Sequence, residues 1–144
     1  MVLALLAVLL AAAAGCGDEE PLTRKQYAAR LSAACKAFAS REEAIGDPTT
    51  VPDLVEKGPR VLAAFEDTIL AEARRLEAPD EIANDAARML ELAEQQRDVL
   101  AGLSDAAQEA DFAKLRALSS KNVAINSEAG AIARELGATG CAPA

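Results

Sequence analysis

The stretch DEIANDAARMLELAEQQRDVLAGLSDAA, residues 80–107, decides the fold. Its inward candidates are Ile82, Ala86, Met89, Ala93, Gln96, Leu100, Leu103 and Ala107. The steps between them alternate four and three, the spacing of a helix whose seam packs against antiparallel neighbours. Pro79 marks the boundary, and Asp80 and Glu81 put negative charge in the first turn, where the helix dipole favours it. Residues 111–136 repeat the pattern. Asp111 caps the helix, Leu115, Leu118, Asn122, Ile125, Ala129, Ile132 and Leu136 form its stripe, and Gly137 stops it.

Two more helices precede these. Thr23 with Gln26 three residues on has the form of a capping box, and Leu22 and Tyr27 occupy the positions of a hydrophobic staple. The first stripe then runs Tyr27, Leu31, Ala34/Cys35, Phe38 and Ile45, and Gly46 with Asp47-Pro48 ends it. A second helix begins near Thr50, with Asp53 as its capping partner and Pro52 in the first turn. Its stripe is Val55, Leu62, Phe65, Ile69, Ala73 and Leu76. Gly58-Pro59 interrupts it, because proline removes a backbone bond and crowds the preceding turn. A kinked helix is expected there in preference to a separate turn over 52–57. The chain therefore reads as all-α, an up-down-up-down four-helix bundle after an N-terminal signal segment. Residues 1–15 are the signal, 16–21 a lipid-attachment cysteine and tether, and 22–144 the bundle domain.

Composition agrees. Aromatic residues are 3% with no Trp, so the core is built from Leu, Ile, Val and Ala. No alternating β-branched run suggests a strand. The formal net charge is −8, which argues against nucleic acid or a basic membrane patch.

Met1 to Ala14 is continuously apolar and ends in Ala13-Ala14-Gly15-Cys16, with Gly17-Asp18-Glu19-Glu20 following. A membrane span needs about 20 apolar residues, and about 10–14 suits a signal core. The pattern looks like a bacterial lipoprotein signal cut before Cys16, whose sulfur would carry lipid. No Lys or Arg precedes the run, which a start lying further upstream would explain. The expected location is the outer face of the cytoplasmic membrane, held through lipid on Cys16. A secreted form or a short transmembrane anchor is the alternative.

Lipid on Cys16 leaves Cys35 and Cys141 as the one pair that can form a disulfide. The tail 138–141 reaches about 13 Å and Cys35 lies about 18 Å along its helix from Thr23, so the tail would fold back along the first helix. The alternative is a buried free thiol at Cys35 with Cys141 unpaired. Leu22-Thr23, Tyr27, Cys35, Leu76-Glu77-Ala78-Pro79, Asp111-Phe112 and Ala133-Arg134-Glu135-Leu136-Gly137 with Cys141 carry a resemblance. The chain resembles small secreted or lipid-anchored alanine-rich helical proteins of high-GC Gram-positive bacteria, of uncharacterised function. That resemblance implies the helical fold and the Cys35–Cys141 pairing, and it brings no catalytic residue.

Chemistry is sparse. With no histidine, di-iron, haem and zinc sites and the usual base for a serine or cysteine nucleophile are missing. No metal, no cofactor and no enzymatic activity are expected. Glu42, Glu43, Glu72, Glu91, Glu94, Glu128 and Glu135 read as a solvated face. Gln96 and Asn122 stand out as polar residues on apolar seams. Either they hydrogen-bond each other or a helix backbone and fix register, or, with Asn126 and the Gly58-Pro59 region, they line a pocket for a small ligand. The expected function is a lipid-anchored extracytoplasmic interaction or envelope-structural module, with an unidentified envelope protein as partner. The alternative is a small-molecule-binding lipoprotein with its pocket between the helices.

Overall fold

The computed structural model describes residues 22–141. The signal segment 1–15, the lipidation residue Cys16 and the tether 16–21 lie outside the described residues. Among the described residues there are four long helices and no strand. They are α1 (Arg24–Ile45), α2 (Val51–Phe65, running on through a π-helical segment, Glu66–Leu70, and a last α-helical turn, Ala71–Arg75), α3 (Ala83–Gln108) and α4 (Phe112–Leu136). A 3-10 turn, Asp80–Ile82, leads into α3, and another, Thr139–Cys141, follows α4. Among the described residues no helix is long and apolar enough to cross a membrane.

The helix starts are set by local chemistry. The Thr23 hydroxyl accepts from the Gln26 N–H at 3.2 Å, and the Gln26 amide oxygen accepts from the Thr23 N–H at 2.8 Å. Thr50 and Asp53 repeat this reciprocal box at 3.2 and 3.1 Å. Asp111 accepts from the Lys114 N–H at 3.0 Å. Each cap satisfies backbone donors that a helix leaves orphaned, and each stabilises by about 1 kcal/mol. At the other end of α4, Gly137 adopts φ 82°, and the Ala138 N–H reaches back to the Ala133 carbonyl at 2.8 Å. That left-handed turn favours glycine.

α2 departs from the sequence expectation. It runs unbroken through Pro59, so 52–57 is no separate turn. The expected inward residue Val55 is 38% exposed. Phe65 is buried as expected, but Gly58 and Val61 are buried in place of Val55, and Leu62 is half-buried. The π-helical segment explains the shift. One extra residue is wound into 66–70, so a single 3.6-residue period drawn along the whole helix falls out of phase by one position. Thr68 is buried there and donates its hydroxyl to the Ala64 carbonyl at 2.6 Å, occupying an acceptor at the changeover.

α3 packs along both α2 and α4, and these are the most extensive helix–helix contacts. α1 lies mainly against α2 and the C-terminal 3-10 turn, and it touches α4 only sparingly. One core cluster joins Tyr27, Ala28 and Leu31 of α1 to Ile82, Ala86 and Met89 and to Ala133, Leu136 and Ala138. A second joins Leu92, Val99 and Leu103 of α3 to Ile125 of α4. Leu92 and Val99 lie off the expected α3 seam, yet each is 1% exposed, because α3 is covered on two sides. Salt bridges tie the helices from outside: Arg30 to Glu72 at 3.0 Å between α1 and α2, and Arg88 to Glu128 at 2.7 Å between α3 and α4. Such pairs contribute little each.

Cys35 and Cys141 form a disulfide with Cα atoms 5.1 Å apart, closing a span of 106 positions. The tail does fold back along α1. The Gly140 N–H donates to the Ser32 hydroxyl at 3.3 Å, and a Cβ on Gly140 would sit 2.5 Å from the Ser32 carbonyl oxygen. Glycine is what lets the backbones approach this closely.

Candidate functional site

The sparse contact between α1 and α4 has a consequence halfway along the molecule. Along the first half of α1 the gap is filled by Leu136 and Ala138, and the disulfide closes it at mid-helix. Further along, the two helices leave a cleft of about 450 Å³. This lies within the range of small-ligand sites, about 300–1,000 Å³.

Leu31, Phe38, Ala39 and Glu42 of α1 form one wall. Asn122, Asn126, Ala129 and Gly130 of α4 form the opposite one. Phe65 and Ile69 of α2 contribute to the floor, the latter from the π-helical segment, together with Met89, Leu92, Ala93 and Leu100 of α3. Gln96 is among these α3 residues, and Cys35, Gly140 and Cys141 close the end nearer the C-terminal turn. Phe38 and Phe65 meet edge to face across α1 and α2, their ring centres 5.6 Å apart at 88°. That is a favoured aromatic geometry, and it firms the apolar side of the cleft.

Three of the residues picked out on the sequence come together here. The Gln96 amide N–H donates to the Asn122 side-chain oxygen in a short hydrogen bond between α3 and α4. Asn126 lies one turn further along α4, exposed at the rim. Gln96 is 8% exposed, and its Oε1 is buried with no hydrogen-bond partner among the described residues. A buried acceptor left unsatisfied costs about 1–3 kcal/mol. The pair links α3 to α4, and it leaves one buried acceptor of a cleft-lining side chain without a partner.

Gly58-Pro59 does not join the cleft. Gly58 packs against Ser104 of α3, where an added Cβ would lie 3.3 Å from the serine side chain. Glu42 and Glu72 also leave the solvated face assigned to them. Glu72 is half-buried and ion-paired with both Arg30 and Arg75. Glu42 is half-buried at the rim, where burial first and the nearby Asp47 second push its carboxyl above the ordinary range. A signal for it was present: Glu42 follows Cys35 and Phe38 at helical spacing on the inward stripe.

Among the residues that line the cleft, Glu42 is the one ionisable side chain, since Cys35 and Cys141 are bonded to each other. Among the described residues no group of three or more His, Cys, Asp or Glu is arranged to hold a metal ion. A second, shallower groove on the outside of α1 carries Arg24, Lys25 and Lys36 beside Leu136 and Gly137. No protein-family model, no curated protein and no solved structure matches the chain.

Proposed function

We propose that this protein is a lipid-anchored, extracytoplasmic helical bundle that holds a small ligand in the cleft between α1 and α4. The observation that carries this reading is the cleft itself, about 450 Å³ with mainly apolar walls and Gln96, Asn122 and Asn126 converging on it. Apolar walls with a few placed polar groups are the usual constitution of a binding site. Attachment rests on the Ala13-Ala14-Gly15-Cys16 sequence and on lipid at Cys16.

The proposed helix order is up-down-up-down. Arg24, at the start of α1, donates to the Glu135 carbonyl at the end of α4, and Gly137 lies beside Ala28. Kinship with the alanine-rich helical proteins of high-GC Gram-positive bacteria belongs to the same proposal, and the Cys35–Cys141 bond supports it. A second reading, an interaction or envelope-structural module, draws on Phe112 and Val123. They are 64% and 68% exposed on α4. These residues stand about three turns apart and form no continuous apolar patch, so the cleft is the stronger feature.

The test is saturable binding of N-phenyl-1-naphthylamine, an uncharged apolar dye whose emission rises in dry surroundings. The expected result is one site per chain, abolished by Ala39→Trp, which fills the mouth from an exposed position. Absence of saturable binding, or binding untouched by Ala39→Trp, contradicts the reading. Intact mass of the protein taken from its own membranes checks the anchor: a chain starting at an unmodified Cys16 would contradict it.

A further inference from the structure

Building on the ligand-binding reading, we infer that the cleft accepts an uncharged single-chain amphiphile bearing a hydroxyl group, with the chain along the Phe38–Phe65 side and the hydroxyl at Gln96 and Asn122. Three features of the site select this class.

The first is shape. The cleft is bounded by long helices and runs from the Cys35–Cys141 end toward Leu100 and Glu42. Its apolar contacts are aliphatic and aromatic side chains, which suit an alkyl chain. The second is the open valence at Gln96. Oε1 is a buried acceptor without a partner, in a side chain whose N–H is already given to Asn122. Oε1 itself has less than 1 Å² of accessible surface, so the Gln96 amide turns toward the cleft to receive a ligand donor, which removes the cost of an unsatisfied acceptor. Asn122, half-buried beside it, offers a second amide that a hydroxyl can also engage, because a hydroxyl both donates and accepts. The third is charge. No Lys or Arg lines the cleft to receive a carboxylate or phosphate. Glu42 at the rim repels an anion. At the depth of Gln96 and Asn122, which bond to each other and to no carboxylate, an ammonium group finds no counter-charge either. A charged head held inside without a counter-charge is strongly disfavoured.

Competition against N-phenyl-1-naphthylamine tests the class. The competitors share one chain length: 1-decanol, decyl methyl ether, decanoate and decylammonium. In the purified oxidised protein, 1-decanol should displace the dye at least about tenfold better than either charged competitor. It should do so about fivefold better than the ether, the effect of one hydrogen bond. In Gln96→Leu the gap between alcohol and ether should close, while dye binding persists. Equal displacement by decanoate or decylammonium overturns the class and leaves a ligand site standing. An alcohol–ether gap unchanged in Gln96→Leu overturns the role of Gln96. Failure of the dye itself to bind overturns the ligand-binding reading and this inference with it.

Discussion

The two ends of the α1–α4 gap are made of the same kinds of residue and behave differently. At the closed end, Tyr27, Ala133 and Leu136 are 2%, 0% and 1% exposed, and a disulfide joins the tail to α1. Midway along, Phe38, Leu100 and Ala129 face a cleft, and a glutamine oxygen stays without a partner. The difference teaches that fastening the helices at one end leaves their separation further along to be set by α2 and α3. Packing in the first region supports stability, whereas incomplete packing in the second leaves room for a ligand.

The largest expected effect breaks the closed end directly. Replacing both Cys35 and Cys141 with serine removes a cross-link over 106 positions, and chain entropy predicts a loss of about 4–5 kcal/mol. Urea unfolding with and without reductant measures it, and a loss below about 1 kcal/mol would mean that the tail is not held by this bond. Next comes a paired truncation. Leu136→Ala at the closed end should cost about 3 kcal/mol, the ordinary figure for a fully buried leucine. Leu100→Ala at the cleft should cost about 1 kcal/mol, because the side chain is only half-buried. Equal costs would mean that the cleft region is packed as tightly as the closed end.

Gln96→Leu should leave the ligand-free protein as stable as before or raise its stability by about 1 kcal/mol, since it removes an unsatisfied buried acceptor. A loss above about 2 kcal/mol would show that the glutamine is a structural link and not an open valence. The smallest effect concerns Glu42. Its carboxyl is raised by burial, so the native state holds that proton more tightly than the unfolded chain. Stability therefore falls as pH rises from the ordinary carboxylate range, about 4, through the raised value, and the penalty is complete above it. Glu42→Gln should gain at most about 0.5 kcal/mol at pH 7, because the group is half-buried and partly screened. The gain should vanish below about pH 4, and thermal melts at the two pH values would check it.

Much of this was legible in the chain. The Thr23–Gln26 and Thr50–Asp53 caps, the Asp111 start and the Gly137 stop are encoded by neighbours within a few positions, so sequence spacing finds them. The Gln96–Asn122 pair was visible because polar residues interrupt two seams that must face each other. The disulfide followed from a small cysteine count. The winding of α2 was hidden, since nothing in Glu66–Leu70 marks an extra residue, and Val55 was turned inward as a result. The cleft was half hidden. Its polar residues could be chosen, but its existence depends on how far α1 stands from α4, and that distance is fixed by packing against α2 and α3. Glu42 was assigned to solvent for the same reason, although its place on the stripe of Cys35 and Phe38 was readable.

Side-chain amide resonances read out ligand binding at the Gln96 gap without a mutation. In ¹⁵N-labelled protein titrated with N-phenyl-1-naphthylamine, the Gln96 and Asn122 amide signals should shift together and saturate. Those of the exposed Asn84 and Gln108, which do not line the cleft, should stay in place. Shifts spread evenly over the surface, or gathered near Phe112 and Val123 with Gln96 unmoved, would contradict the account.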